Sequence, residues 1–164
     1  MKKILIAAVL FLIASATAQA QSKLPDFSLL DPQGGSHSSA ELLGKGLVVL
    51  VTAPTLHEKD AQVGWIKLLI AAKGSNKGNF VLIEDITASA FKGIARGDMK
   101  KDWKPGDIPL LLIDETGKTR EAFGMAKDTT KVFVYDKGGN LIYSESSPPS
   151  AALAKSVWDK LRGT

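Results

Sequence analysis

The sequence predicts an α/β domain in which one central sheet of mixed strand direction lies between layers of helices. Three observations carry this expectation. Residues 47–52 read Leu-Val-Val-Leu-Val-Thr, an unbroken apolar run of the kind that forms a strand covered on both faces. Residues 56–72 repeat apolar side chains (Ala61, Trp65, Leu68, Leu69, Ala72) at three- and four-residue steps, then lead into a second apolar run at 80–83. That is the strand–helix–strand pattern of two parallel neighbours. Near the end, 131–135 and 140–143 flank Asp136-Lys137-Gly138-Gly139 as a hairpin, and an amphipathic helix follows.

The remaining elements fill in around these. Residues 24–30 read as a first strand, closed by the turn at 31–35 with its Pro32 and paired glycines. Residues 37–43 supply a serine cap and one helical turn, and Gly44-Lys45-Gly46 releases the chain into the first buried strand. Loop residues at 74–78 end the long helix. Between 87 and 107 the pattern fades: Phe91, Ile94 and Ala95 have helical spacing, while Gly93 and Gly97 weaken it. Residues 108–113 form a third strand, with Pro109 at its start expected in the ordinary trans form. The turn 114–117 and a short helix or loop at 119–125 follow. In the closing helix Ser147 is the expected N-cap, Pro148 the first helical residue, and Leu153, Val157, Trp158 and Leu161 the apolar stripe.

The N-terminus carries an address. Lys2 and Lys3 precede an apolar run at 4–14 that is too short to span a bilayer, and Ala18-Gln19-Ala20 offers the small residues of a cleavage site. The expectation is a signal peptide at 1–20, cleaved after Ala20, and a single domain at 21–164 that is periplasmic, with no stable membrane anchor. No cysteine follows the cleavage site, so a lipid anchor there is excluded.

Charge argues against nucleic acid. The formal charge is +4, and losing Lys2 and Lys3 with the leader lowers it to +2. Lys100, Lys101 and Lys104 around Trp103 read as a solvated face with one anchoring ring. The absence of cysteine reaches further: it removes disulfides as a source of stability and thiolates as nucleophiles.

Leu24-Pro25-Asp26-Phe27-Ser28-Leu29, Gly34, 39–43, Gly44-Lys45 and the apolar strand together resemble the entry to redoxin-type (AhpC/TSA-like) proteins of thioredoxin-like fold. Residues 113–117 and 134–142 resemble the paired strand–turn signatures of the same group, so the likeness spans nearly all of 21–164. It implies a three-layer α/β/α sandwich. The departure falls where that group keeps its chemistry. After the first buried strand the chain reads Thr52-Ala53-Pro54-Thr55-Leu56-His57, where a cysteine is expected. Asp128-Thr129-Thr130-Lys131 stands where relatives carry a cis-proline or an arginine. A narrower likeness is to exported YtfJ-like proteins, themselves cysteine-free, through Gly44-Lys45, Thr55 with Lys59, Lys100-Lys101, 134–138 and Ser147-Pro148.

No catalytic residue is assigned. Thr52, Thr55 and His57 sit at a strand–helix junction, where helix amides favour anions, but Thr55 reads as an N-cap and His57 as an exposed first-turn residue. His37 and His57 have no metal-ligand spacing. No metal or other cofactor is expected. Glu84 and Asp85 end the second buried strand and, with Asp60, offer a cation-binding alternative. The fold places Thr52, Ala53, Pro54, Thr55, His57, Glu84, Asp85, Thr129 and Thr130 along one edge. The expected role of that edge is non-catalytic binding of a periplasmic protein, peptide or small ligand, with a redox or antioxidant role implied by the family as the alternative.

Overall fold

The computed structural model describes residues 22–53, 58–89, 92–104 and 106–163. The expected leader lies outside them. A seven-stranded sheet runs β2-β1-β5-β4-β3-β6-β7, built from β1 (Ser28–Leu30), β2 (Ser36–Ser38), β3 (Leu47–Thr52), β4 (Asn79–Asp85), β5 (Leu110–Asp114), β6 (Thr130–Tyr135) and β7 (Leu141–Glu145). The three apolar runs become the centre. β3, β4 and β5 are parallel, while β6, β7, β1 and β2 join antiparallel.

Every residue of β3 is buried, as its unbroken apolar run requires. Its two faces feed two cores. Val48 and Leu50 pack with Trp65, Leu69, Val157 and Trp158 beneath α2 (Lys59–Lys73) and α5 (Ala151–Arg162). Leu47, Val49 and Val51 pack with Phe27, Phe123, Phe133 and Tyr135 on the other face. Among the described residues that second layer holds two short helices, α1 (Ser39–Leu42) and α4 (Lys118–Ala122), so aromatic rings and the N-terminal segment do much of the covering. Full burial of one such apolar side chain contributes about 1.5–3 kcal/mol.

Four expectations need correction. The first strand is shorter than 24–30, because its start pairs elsewhere: Leu24 N–H donates to Gly139 O at 2.8 Å, and Ser22 O accepts from Leu141 N–H at 2.9 Å. The N-terminal segment thus straps the β6–β7 turn before crossing the molecule to β5. Second, the glycines that weaken the helical pattern within 87–107 do not break it: α3 (Lys92–Asp102) runs through both. None of its residues is buried, which explains the missing apolar stripe. Third, the Ile108–Pro109 peptide is cis. A tertiary amide has little trans preference, so surroundings decide the isomer; here the Pro109 carbonyl accepts from buried Trp103 Nε1 at 3.4 Å. Fourth, the cap of α5 is Ser150, whose hydroxyl accepts from Leu153 N–H at 3.3 Å. Pro149 keeps Pro148 out of helical geometry, so the helix starts two residues after the proline pair. Ser147 N–H instead donates to Glu145 at 2.8 Å.

Candidate functional site

The register of the sheet assembles one end of the molecule. Thr52 ends β3, lies opposite Thr130 of β6 on one side and opposite Glu84 of β4 on the other. Ala53 N–H donates to Thr129 O at 3.3 Å. Thr52, Ala53, Glu84, Asp85, Thr129 and Thr130 are therefore one contiguous edge. Pro54, Thr55 and His57 lie outside the described residues.

Alternation along the strands divides this edge into two faces. Thr130, Thr52 and Glu84 form a row on the face shared with Leu50, Leu82 and Val132, beneath α2. Thr52 is 0 % exposed and Thr130 5 %, and neither hydroxyl has a hydrogen-bond partner. Glu84 does have one: Gln62 Nε2, from a buried position on α2, donates to it at 3.2 Å. Burial pushes the Glu84 carboxyl above the usual range, against the Gln62 hydrogen bond and the Lys59 charge. Gln62 escaped the sequence reading because a polar residue beside an apolar stripe gives no sign of the carboxylate it will meet.

Asp85 points to the opposite face and belongs to a different constellation. Arg120 Nε donates to its carboxylate at 2.7 Å, both groups being buried. Thr87 N–H donates to the other oxygen at 2.8 Å. The Asp114 carboxylate accepts from Gly117 N–H at 2.8 Å, Thr116 N–H at 3.1 Å and Arg120 N–H at 3.0 Å. Arg120 also donates to Met125 O. Gly117 has φ +75°, and a Cβ there would stand 3.4 Å from Asp85 Oδ2. This network ties the ends of β4 and β5 to α4. It holds Asp85 as one half of an ion pair, and Glu84 leaves the strand the other way. The two carboxylates thus share no coordination sphere. Among the described residues no group of three or more histidines or carboxylates has a metal-binding arrangement.

Glu84 opens onto a groove that no sequence motif announced. It has a volume of about 540 Å³ and lies between α2 and α3. Its floor is apolar, with Ile66, Leu82, Met99, Trp103 and Leu111, and Ile108 stands at its rim 50 % exposed. Its polar lining is Glu84, Asp98, Asp102, Asp107 and Lys59.

No protein-family model and no curated protein sequence matches this chain. Solved structures do. It is similar to a pneumococcal exposed lipoprotein thioredoxin from Streptococcus pneumoniae, with TM-score 0.64 and 15% identity over 85% of this chain and 100% of that one. It is similar to a thiol:disulfide interchange protein of the thioredoxin family from Chlorobium tepidum, with TM-score 0.58 and 23% identity over 85% and 96%. A peroxidoxin from Mycobacterium tuberculosis gives TM-score 0.59 and 20% identity over 86% and 94%. The fold is thioredoxin-like. Its neighbours are redoxin- and peroxiredoxin-like proteins, and this thioredoxin-like chain has no cysteine anywhere in its sequence.

Proposed function

We propose that this protein is a non-catalytic binding protein, exported by its N-terminal leader, that takes a partner at the Thr52–Glu84 edge and the groove beside it. The observation that carries the reading is the conjunction of that groove with the absence of cysteine. Neighbours named for thiol chemistry need a thiolate nucleophile, and this chain encodes none. A concave, mostly apolar groove with a few polar groups at its rim is the usual form of a ligand site.

Site-specific photo-crosslinking tests the proposal. A benzoylphenylalanine replaces Ala95, which lines the groove, or Lys118, at the start of α4. The purified protein is then illuminated in periplasmic extract. A discrete adduct from the Ala95 position alone is expected. Equal adducts from both positions, or none from Ala95, overturn it. So does turnover in an insulin-reduction or peroxidase assay of the mature protein.

A further inference from the structure

We infer that the groove between α2 and α3 receives an extended segment of a partner protein in which basic side chains alternate with aliphatic ones. This rests on the reading of the groove as a binding site and adds the chemistry of its occupant.

Charge complementarity is the first argument. The mature protein is net positive, the +4 of the full chain falling to +2 when Lys2 and Lys3 leave with the leader. The groove lining reverses that sign, with four carboxylates (Glu84, Asp98, Asp102, Asp107) against the single ammonium of Lys59. Lys101 approaches Asp98 at 3.4 Å, but both groups are exposed and such a pair is weakly held. Asp107 uses one oxygen to accept from Lys104 N–H at 2.7 Å, which fixes the carboxylate at the rim without neutralising it. A cationic side chain lying along this rim gains attraction in partly desolvated surroundings, and an acidic one is repelled.

The floor supplies the second argument. A wholly charged ligand would leave Ile66, Leu82, Met99, Trp103 and Leu111 without apolar contact. An alternating segment puts aliphatic side chains on that floor and basic ones at the rim, since successive side chains of an extended chain point opposite ways. Shape supplies the third. Past Asp107 and Ile108, which it shares with the groove, lies a smaller depression of about 230 Å³ that reaches Phe80 and Asn79 and carries Lys73 and Lys77 on its lining, so the basic side chains of an occupant belong at the Glu84–Asp98–Asp102 end. The stretch of β4 from Asn79 to Glu84 beneath both spans roughly 17 Å at strand rise, the length of five or six extended residues. A long trough suits a chain segment better than a compact amine.

Fluorescence anisotropy with two labelled hexapeptides tests this on the full mature protein. One peptide alternates lysine with leucine, the other glutamate with leucine. The lysine peptide is expected to bind at least about tenfold more tightly than the glutamate peptide, and to weaken as salt rises. The triple variant Asp98→Asn, Asp102→Asn, Asp107→Asn keeps its hydrogen-bonding groups and is expected to lose about tenfold in affinity for the lysine peptide. Equal affinity for both peptides, or an unchanged triple variant, overturns the inference. Failure of both peptides while Ala95 still captures a partner overturns the assigned chemistry and leaves the groove as the site. Failure of both experiments overturns the two readings together.

Discussion

Thr52 and Thr130 stand opposite each other across β3 and β6, both buried, and neither hydroxyl has a hydrogen-bond partner. Directly opposed side chains in an antiparallel pair lie about 4.5–5.5 Å apart at Cβ, so the two orphaned groups share one small polar spot in an apolar layer. Valine has nearly the same shape and needs no partner. The double variant Thr52→Val, Thr130→Val is expected to gain about 1–3 kcal/mol in stability, read from urea denaturation. A loss of similar size would show that the hydroxyls are bonded in solution.

Arg120 and Asp85 behave oppositely, because each satisfies the other. Removing one partner of a buried pair leaves a charge without compensation, so Arg120→Met is expected to cost about 3–5 kcal/mol. Burial alone would raise the Asp85 carboxyl; the hydrogen bonds from Thr87 and the Arg120 guanidinium outweigh it and hold the group below its ordinary 3.8. A depressed carboxylate contributes stability in full above that value and loses it as pH falls through the folded value. The acid limb of the stability–pH curve is therefore expected to flatten in Arg120→Met. An unchanged limb would remove Asp85 from that role.

Glu84 carries the reverse sign. Its carboxyl is raised by burial, so the fold favours the protonated form, and that contribution is present below 4.5 and lost as pH rises through the folded value. Glu84→Gln is expected to be more stable than the parent near pH 7, with the difference closing below about pH 4.5. Denaturation midpoints at the two pH values decide it; a variant less stable at neutral pH would show that the ionised Glu84 is better compensated than its surroundings indicate.

The two serines before α5 separate cleanly. Ser150→Ala removes the cap and is expected to cost about 1 kcal/mol. Ser147 instead supports Glu145, whose carboxyl its backbone and side-chain hydrogen bonds help to depress to about 2. Ser147→Ala is expected to leave the helix intact while the Glu145 titration, followed by NMR, moves upward toward the ordinary carboxylate range. Equal destabilisation by both substitutions would mean that Ser147 shares the capping role.

Legibility in the sequence followed burial. The run Leu47–Thr52 reads as a covered strand from composition alone, and its register then fixes Thr52 between Glu84 and Thr130. The junction was legible for the same reason, since strand ends in a βαβ unit converge. The groove was not. Its floor draws Ile66 from α2, Leu82 from β4, Trp103 from just beyond α3 and Leu111 from β5, and nothing in their spacing says that they meet. Arg120 likewise sits in a short polar stretch, where local pattern cannot distinguish a solvated arginine from one holding two strand ends together.

α3 contributes no buried residue, yet it forms one wall of the groove. Under the binding reading proposed above, the work of folding and the work of recognition fall on separate stretches of chain. Substitutions at Ala95, Asp98 or Asp102 can redraw the groove's chemistry while the cores under α2 and α5 keep their packing. On that reading, a chain arranged this way can change what it recognises one exposed residue at a time, without first acquiring stability to spare.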